Sequence, residues 1–391
     1  MKNRSLTVRK KFVFAAGTAL ISMVIGFVVL EGYVRASRPH VDLDQLTGRT
    51  SSPNPISEWG FVDAFCAYVP RPGRFAEGKT VNSHGFISTP EITPAKPEGT
   101  IRIVFLGESS TAGMTVNLKD HETWPWQAIE IVREQAPRVD FINAALGGYT
   151  SFESYGRLWS RIRHFSPDIV VVTHGWNEMY YFKKADDIVS WRTGPDGSWS
   201  LAGTGAPRVT FPPHWVDPCL KWSQVLTRIR RRLSVAGEGE IGARPDHPLE
   251  SDFNHRGIPI WRTNLRLLRE TCSLLGIRLF VAKQATLVVP SLPPEEQARC
   301  RYDLHGFGHA GHVEAFREIY QVIDEEIPAD SIIDVTPLSG RSDLFFDHVH
   351  PTPQGSREIA TIVAKALVAE IARSKSGESA NRADKSRPVT P

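Results

Sequence analysis

Five short runs dominate the sequence: "IRIVFLG" (101–107), "VDFINAA" (139–145), "DIVVVTHG" (168–175), "IRLFVAKQ" (277–284) and "SIIDVT" (331–336). Each is β-branched and apolar without alternation. A strand of that kind must be covered on both faces, because it has no polar side to turn to water. Amphipathic patterns of helical period lie between and after the runs: "WPWQAIEIVREQA", "SFESYGRLWSRIRHF", "WRTNLRLLRETCSLLG", "HVEAFREIYQVIDEEI" and a last helix through "REIATIVAKALVAEIARS". Strands alternating with helices make βαβ units, hence an α/β fold with a parallel sheet and helices on both faces. In such a sheet ligands bind beyond the carboxyl ends of the strands, so chemistry is sought there.

Outside this region the chain divides by composition. Residues 1–11 carry Lys2, Arg4, Arg9, Lys10 and Lys11. Residues 12–30 then run without a charge, a length that matches a hydrocarbon core of about 30 Å. The pattern reads as a transmembrane anchor with its basic flank in the cytoplasm and the rest of the chain exported. The competing reading is a cleaved signal peptide with Val34 and Ala36 before the cut, but the apolar run is longer than a usual signal core. Residues 31–99, rich in proline, glycine and polar residues, read as a stalk or wrapping segment, and 100–373 as the α/β domain. An insertion at about 181–258 has the length of a lid or binding loop. Residues 374–391 lack apolar periodicity and read as a disordered tail.

The formal net charge of +3 over 391 residues is too small to imply a nucleic-acid partner. Export would permit disulfides among Cys66, Cys219, Cys272 and Cys300, whose pairing the sequence does not fix. No Cys-x-x-Cys pair indicates a metal or redox motif.

Four strand ends carry polar groups. The first run ends in "GESS", where either Ser109 or Ser110 could be a nucleophile or merely a helix cap. The second continues as "NAALGGYTS", whose Gly147 and Gly148 form a turn able to approach a ligand closely. The third ends in "HGWNE" with Asn177, and the fifth is followed by "DHVH" with Asp347 and His350. A serine hydroxyl becomes nucleophilic when a neutral imidazole accepts its proton and a carboxylate orients that imidazole. His350 would be the base and Asp347 its partner. The amides of Ser109 and Gly148 and the side-chain amide of Asn177 could receive the oxyanion, each worth about 3 kcal/mol.

These four blocks, in this order and on these elements, resemble the SGNH hydrolases (GDSL-type esterases and lipases), in the manner of a membrane-anchored bacterial member. The resemblance covers roughly 100–373 without the insertion. It implies a flavodoxin-like three-layer α/β/α sandwich around a parallel sheet of about five strands, with no cofactor and no metal. It further implies Ser109, Asp347 and His350 as catalytic residues, and Ser109, Gly148 and Asn177 as the oxyanion hole. Ser110 then falls to a capping role, and spacing from Asn143 favours Gly148 over Gly147. Glu108 in place of aspartate, Ser110–Thr111 in place of leucine, and Glu178 in place of aspartate depart from the family pattern.

The expected activity is ester hydrolysis, with O-acetyl groups on an envelope or extracellular glycan as the candidate substrate. Acyl transfer to a glycan, lysophospholipase or thioesterase activity, and a non-catalytic glycan-binding scaffold are the alternatives. The expected partners are thus an ester, an acylated glycan or lipid, and a membrane. His305, His309 and His312 in "HGFGHAGH" are read as structural rather than zinc-binding. His348 is expected to point away from Asp347. The tryptophans between Trp176 and Trp222 are read as leaning towards substrate contact.

Overall fold

In the computed structural model of the chain the described residues are 2–38, 41, 43, 60–74, 79–114, 118–182, 191–193, 199–201, 214–237 and 249–385. They form two compact units, one of Met1–Glu58 with Pro207–Ala243, the other of Trp59–Ala206 with Arg244–Pro391.

The second unit is built on a five-stranded sheet of β1 (Ile101–Gly107), β2 (Val139–Asn143), β3 (Ile169–His174), β4 (Arg278–Lys283) and β5 (Ile332–Asp334). Its order is β2-β1-β3-β4-β5, with every neighbouring pair parallel. The register pairs Phe105 with Asn143, Gly107 with Thr173 and Lys283 with His174. The order reverses between β1 and β3, the switch point where two neighbouring connections leave in opposite directions and open a crevice.

Five long helices accompany the strands: α1 (Trp124–Gln135), α2 (Ser151–Ser160), α3 (Gly257–Leu274), α4 (His309–Glu326) and α5 (Pro353–Lys385). Helix α1 packs on α5, while α2, α3 and α4 pack in succession. Right-handed crossovers running opposite ways from the switch point put these two groups on opposite faces, giving three layers. Between them, the β1 residues Ile103 to Leu106 and the β3 residues Val170 to Val172 are fully buried. The flavodoxin-like α/β architecture is therefore present, with the strands where the apolar runs place them.

Other boundaries differ from expectation. Within the region read as a stalk or wrapping segment, residues 60–74 and 79–99 pack against the α/β body. They make two short antiparallel pairs, Gly60–Asp63 with Ala67–Pro70 and Gly73–Arg74 with Thr80–Val81, and bury Tyr68, Val69, Phe86 and Ile87 in the second unit. Helix α5 runs past 374 to Lys385, so 375–385 are helical where disorder was expected. A helix already nucleated by packing extends at little cost through residues that would not start one.

In the first unit the N-terminal helix runs from Lys2 to Ser37, and its Lys10–Ser37 stretch is long and apolar enough to cross a membrane. Residues 207–243, expected as part of an insertion in the α/β domain, group instead with this helix. Glu31 explains the grouping locally. Its carboxylate accepts hydrogen bonds from the amides of Gln224 (2.8 Å) and Val225 (3.0 Å) and from Ser223 Oγ (2.7 Å), supplying acceptors to the start of the helix Gln224–Gly237. The Trp191 and Trp199 side chains lie outside the described residues, and Trp215 and Trp222 belong to this first unit. All four cysteines are free, so no disulfide pairing arises.

Candidate active site

Strand β1 ends at Gly107, and Glu108, in an extended conformation, leads into a single helical turn, Ser109–Ala112. Ser109 is thereby lifted to the carboxyl edge of the sheet, where its Oγ lies 2.8 Å from His350 Nε2. On the other side of the ring, Nδ1 lies 2.8 Å and 2.7 Å from the two oxygens of Asp347. A carboxylate requires a proton on Nδ1, so Nε2 carries the lone pair and accepts from the Ser109 hydroxyl. Burial pushes the Asp347 carboxyl up, but the hydrogen bond and charge of His350 outweigh it and hold it well below the usual carboxylate range. Asp347 Oδ1 also accepts the amides of Val349 (3.0 Å) and His350 (2.9 Å), which fixes the turn that carries both residues. The segment after β4 pins that turn, since Leu287 N and Thr286 Oγ1 each donate to His348 O at 2.8 Å.

Three candidate donors lie at the ends of β1, β2 and β3. The Ser109 amide opens a helical turn, where first-turn amides have no partner within the helix. After β2, Gly147 is held from two sides: its amide donates to Met114 Sδ at 3.1 Å, and its carbonyl accepts from the Tyr68 hydroxyl. A Cβ placed on Gly147 would lie 3.8 Å from Ser109 Cβ, so this turn passes beside the serine. Gly148 follows at φ +79°, a left-handed conformation that glycine adopts without the Cβ clash. After β3, Asn177 Nδ2 donates one hydrogen to Tyr149 O at 2.9 Å, and its second hydrogen is a further donor.

Beneath these groups lies a buried polar layer. Glu108 accepts the Asn177 amide at 2.9 Å and a hydrogen bond from Gln284 Nε2, which also donates to Ser110 Oγ at 2.9 Å. Gln284 Oε1 accepts the Trp176 amide at 2.8 Å, and only glycine fits at 175, because a Cβ there would approach that oxygen to 2.6 Å. Burial raises the Glu108 carboxyl to about 7 against the pull of these donors. Burial likewise raises Glu178, which accepts Ser151 N at 2.6 Å and Ser151 Oγ at 2.9 Å, to about 8. Ser110 is therefore not a cap: the cap position is Glu108, which makes no side-chain capping bond, and the Ser110 hydroxyl points into the buried layer as an acceptor. Gln284, Tyr68 and Met114 were missed by reading the sequence. Gln284 had a signal, being the residue that follows β4 at the same sheet edge.

His305, His312 and His348 pack around Trp176, and His309 lies beside them on Tyr302. His312 donates from Nδ1 to Gly308 O and accepts at Nε2 from His305 Nδ1, both at 3.0 Å. His309 donates from Nε2 to Val289 O at 3.1 Å and accepts the Tyr302 hydroxyl at 2.6 Å. Both nitrogens of His309 and of His312 thus have protein partners. His348 lies tilted against Trp176 with ring centroids 3.8 Å apart. Contrary to expectation it does not point away from Asp347, because its Nδ1 lies 3.6 Å from Asp347 Oδ1. Asp347, His348 and His350 have ligand atoms within 4.8 Å of one another, a grouping that could hold a metal ion. Trp176 is buried beneath the edge and offers no open face to a substrate.

No protein-family model matches the chain, and a search of curated proteins gives no match. Among solved structures, the chain is similar to the acetyl xylan esterase AlAXEase, with 12% identity and a TM-score of 0.39 over 68% of this chain and 100% of that one. It is similar to the esterase EstA from Pseudoalteromonas sp. at 12% identity and a TM-score of 0.36 over 69% and 98% of the two chains. A GDSL-like lipase from Bacteroides thetaiotaomicron gives 12% identity and a TM-score of 0.36 over 71% and 92%. At this similarity no neighbour's activity transfers to the chain.

Proposed function

We propose that the chain is a serine esterase of the SGNH type. The single observation that supports this most strongly is the unbroken relay from Ser109 Oγ through His350 to Asp347. Ser109 Oγ attacks the ester carbonyl carbon as its proton passes to His350 Nε2. The negative charge that develops on the carbonyl oxygen meets the amides of Ser109 and Gly148 and the Asn177 side chain. Collapse expels the alcohol, which takes the proton from His350. Water then attacks the acyl-serine with His350 again as base, releasing the acid and restoring the serine. Asp347 stays ionised throughout and stabilises the imidazolium.

The substrate class we assign is an O-acetyl group on an envelope or extracellular glycan, with the N-terminal helix spanning the membrane and the α/β unit on its outer side. The run of basic residues before a stretch apolar enough to span supports that topology. Purified full-length chain should be exposed to a fluorophosphonate probe, and separately to acetylated glycans, phospholipids and acyl thioesters with and without an acceptor sugar, with products read by mass spectrometry. The expected result is an adduct on Ser109 and free acetate from the glycan. An acylated acceptor would convert the reading to acyl transfer, and release from lipids or thioesters alone would change the substrate class. A folded chain that neither reacts with the probe nor hydrolyses any ester would leave a non-catalytic scaffold.

A further inference from the structure

The segment 214–237 exposes large apolar side chains beside basic residues. Trp215 and Trp222 are 81% and 75% exposed, and Ile229 and Leu233 are 48% and 66% exposed. Leu226, Ile229 and Leu233 fall at positions i, i+3 and i+7 of the helix Gln224–Gly237, one stripe of its surface. Val225 and Thr227, on other positions, are buried. The same segment carries Lys221, Arg228, Arg230, Arg231 and Arg232 against one acid, Asp217. That acid is already paired with Arg230 at 2.9 Å.

This helix starts beside the end of the uncharged run 12–30. Glu31 binds its first amides, Arg35 Nε donates to Glu31 at 2.6 Å, and Arg35 Nη2 donates to Trp222 O at 2.6 Å. The Gln224 side chain holds the chain just beyond the span through both the amide and the carbonyl of Val41, at 2.8 Å and 2.9 Å. A carboxylate at the end of an apolar stretch is tolerated at the bilayer interface, where donors of this kind can meet it. Tryptophans with exposed rings belong at the same depth.

We infer that residues 214–237 form a second membrane contact, in which Trp222, Ile229 and Leu233 enter the headgroup region and the exposed Arg232 engages anionic lipid. The inference rests on the N-terminal helix being a membrane span, not on the proposed chemistry. Two features select lipid as the occupant. The helix that bears the stripe begins at hydrogen bonds to Glu31, at the end of the apolar run, and the segment's basic excess complements anionic headgroups, each basic residue near such a surface being worth about a fivefold shift in the bound-to-free ratio.

The test uses the full chain in nanodiscs of phosphatidylcholine, with or without phosphatidylglycerol. Cys219 is the one exposed cysteine and accepts a polarity-sensitive fluorophore in this segment, the other three being buried. Blue-shifted emission that is quenched by headgroup spin-labelled lipid, appears with phosphatidylglycerol and is reversed by salt is the expected result. Arg232→Ala should lower the docked-to-free ratio about fivefold, and Ile229→Ser with Leu233→Ser should abolish quenching while leaving ester hydrolysis unchanged. Emission that is equally water-like in both lipids overturns the proposal. So does a shift that follows the number of chains per disc rather than the lipid, which would mark a second copy as the occupant. A chain that does not enter the disc overturns it as well, whatever its esterase activity.

Discussion

His350 and His312 are both buried histidines of the α/β unit, 5% and 0% exposed, and they differ in what their nitrogens meet. His312 has a backbone carbonyl on one side and another imidazole on the other, and burial lowers it to about 4, so it stays neutral. His348 is similarly lowered to about 3. His350 has an ionised carboxylate at Nδ1 and a hydroxyl at Nε2. Burial alone makes an imidazole neutral and inert. A base needs a neighbour that gains when the ring becomes charged, and a proton on the far side worth taking.

The largest effect should come from breaking this contrast. His350→Gln is expected to reduce turnover by roughly 10⁴-fold or more and to stop fluorophosphonate labelling. His312→Gln should lower the melting temperature yet leave the folded fraction reacting at the parental rate, and loss of labelling there would place the base in the wrong cluster. Next, Asp347→Asn keeps the shape but can hold the wrong tautomer and cannot stabilise the imidazolium. Labelling slowed by about 10³- to 10⁴-fold is expected, whereas a parental rate would show that Asp347 does not orient the base. Asn177→Ala should cost about 10² in kcat on a small activated ester with little change in KM, since the donor matters once charge develops. An unchanged kcat removes Asn177 from the site.

Two smaller effects sharpen the comparison from beneath the site. Glu178 titrates near 4.5 when unfolded and near 8 when folded, because burial disfavours its charge. The folded state therefore holds a proton that the unfolded state has lost, and stability falls as pH rises from 4.5 through 8. Glu178→Gln removes that loss, so its stability relative to the parent should increase with pH across this window in denaturant titrations. A pH-independent difference would mean that Glu178 is ionised in the fold. Ser110→Ala deletes one acceptor of Gln284 and should cost about 1 kcal/mol in the same titration without slowing the labelling of Ser109. An adduct on Ser110 would reverse the roles of the two serines.

The strands and most helices were legible because buried parallel strands leave no polar positions, and the apolar runs at 101–107 and 168–175 match β1 and β3 almost residue for residue. Ser109, Gly148, Asn177, Asp347 and His350 were nameable because each sits at or after a strand end, and the order of strand ends is a property of the chain itself. Tertiary structure decided what depends on groups distant in sequence. Gln284 ties β4 to Glu108, Ser110 and Trp176, which no local pattern encodes. Tyr68 and Met114 grip Gly147 from the wrapping segment and from just beyond the serine turn. The segment 214–237 joins the N-terminal helix because the amides at the start of its helix found the Glu31 carboxylate. Periodicity reports the face that an element buries. It does not report which distant donor or acceptor will satisfy a buried polar group, because that pairing exists only once the chain has folded.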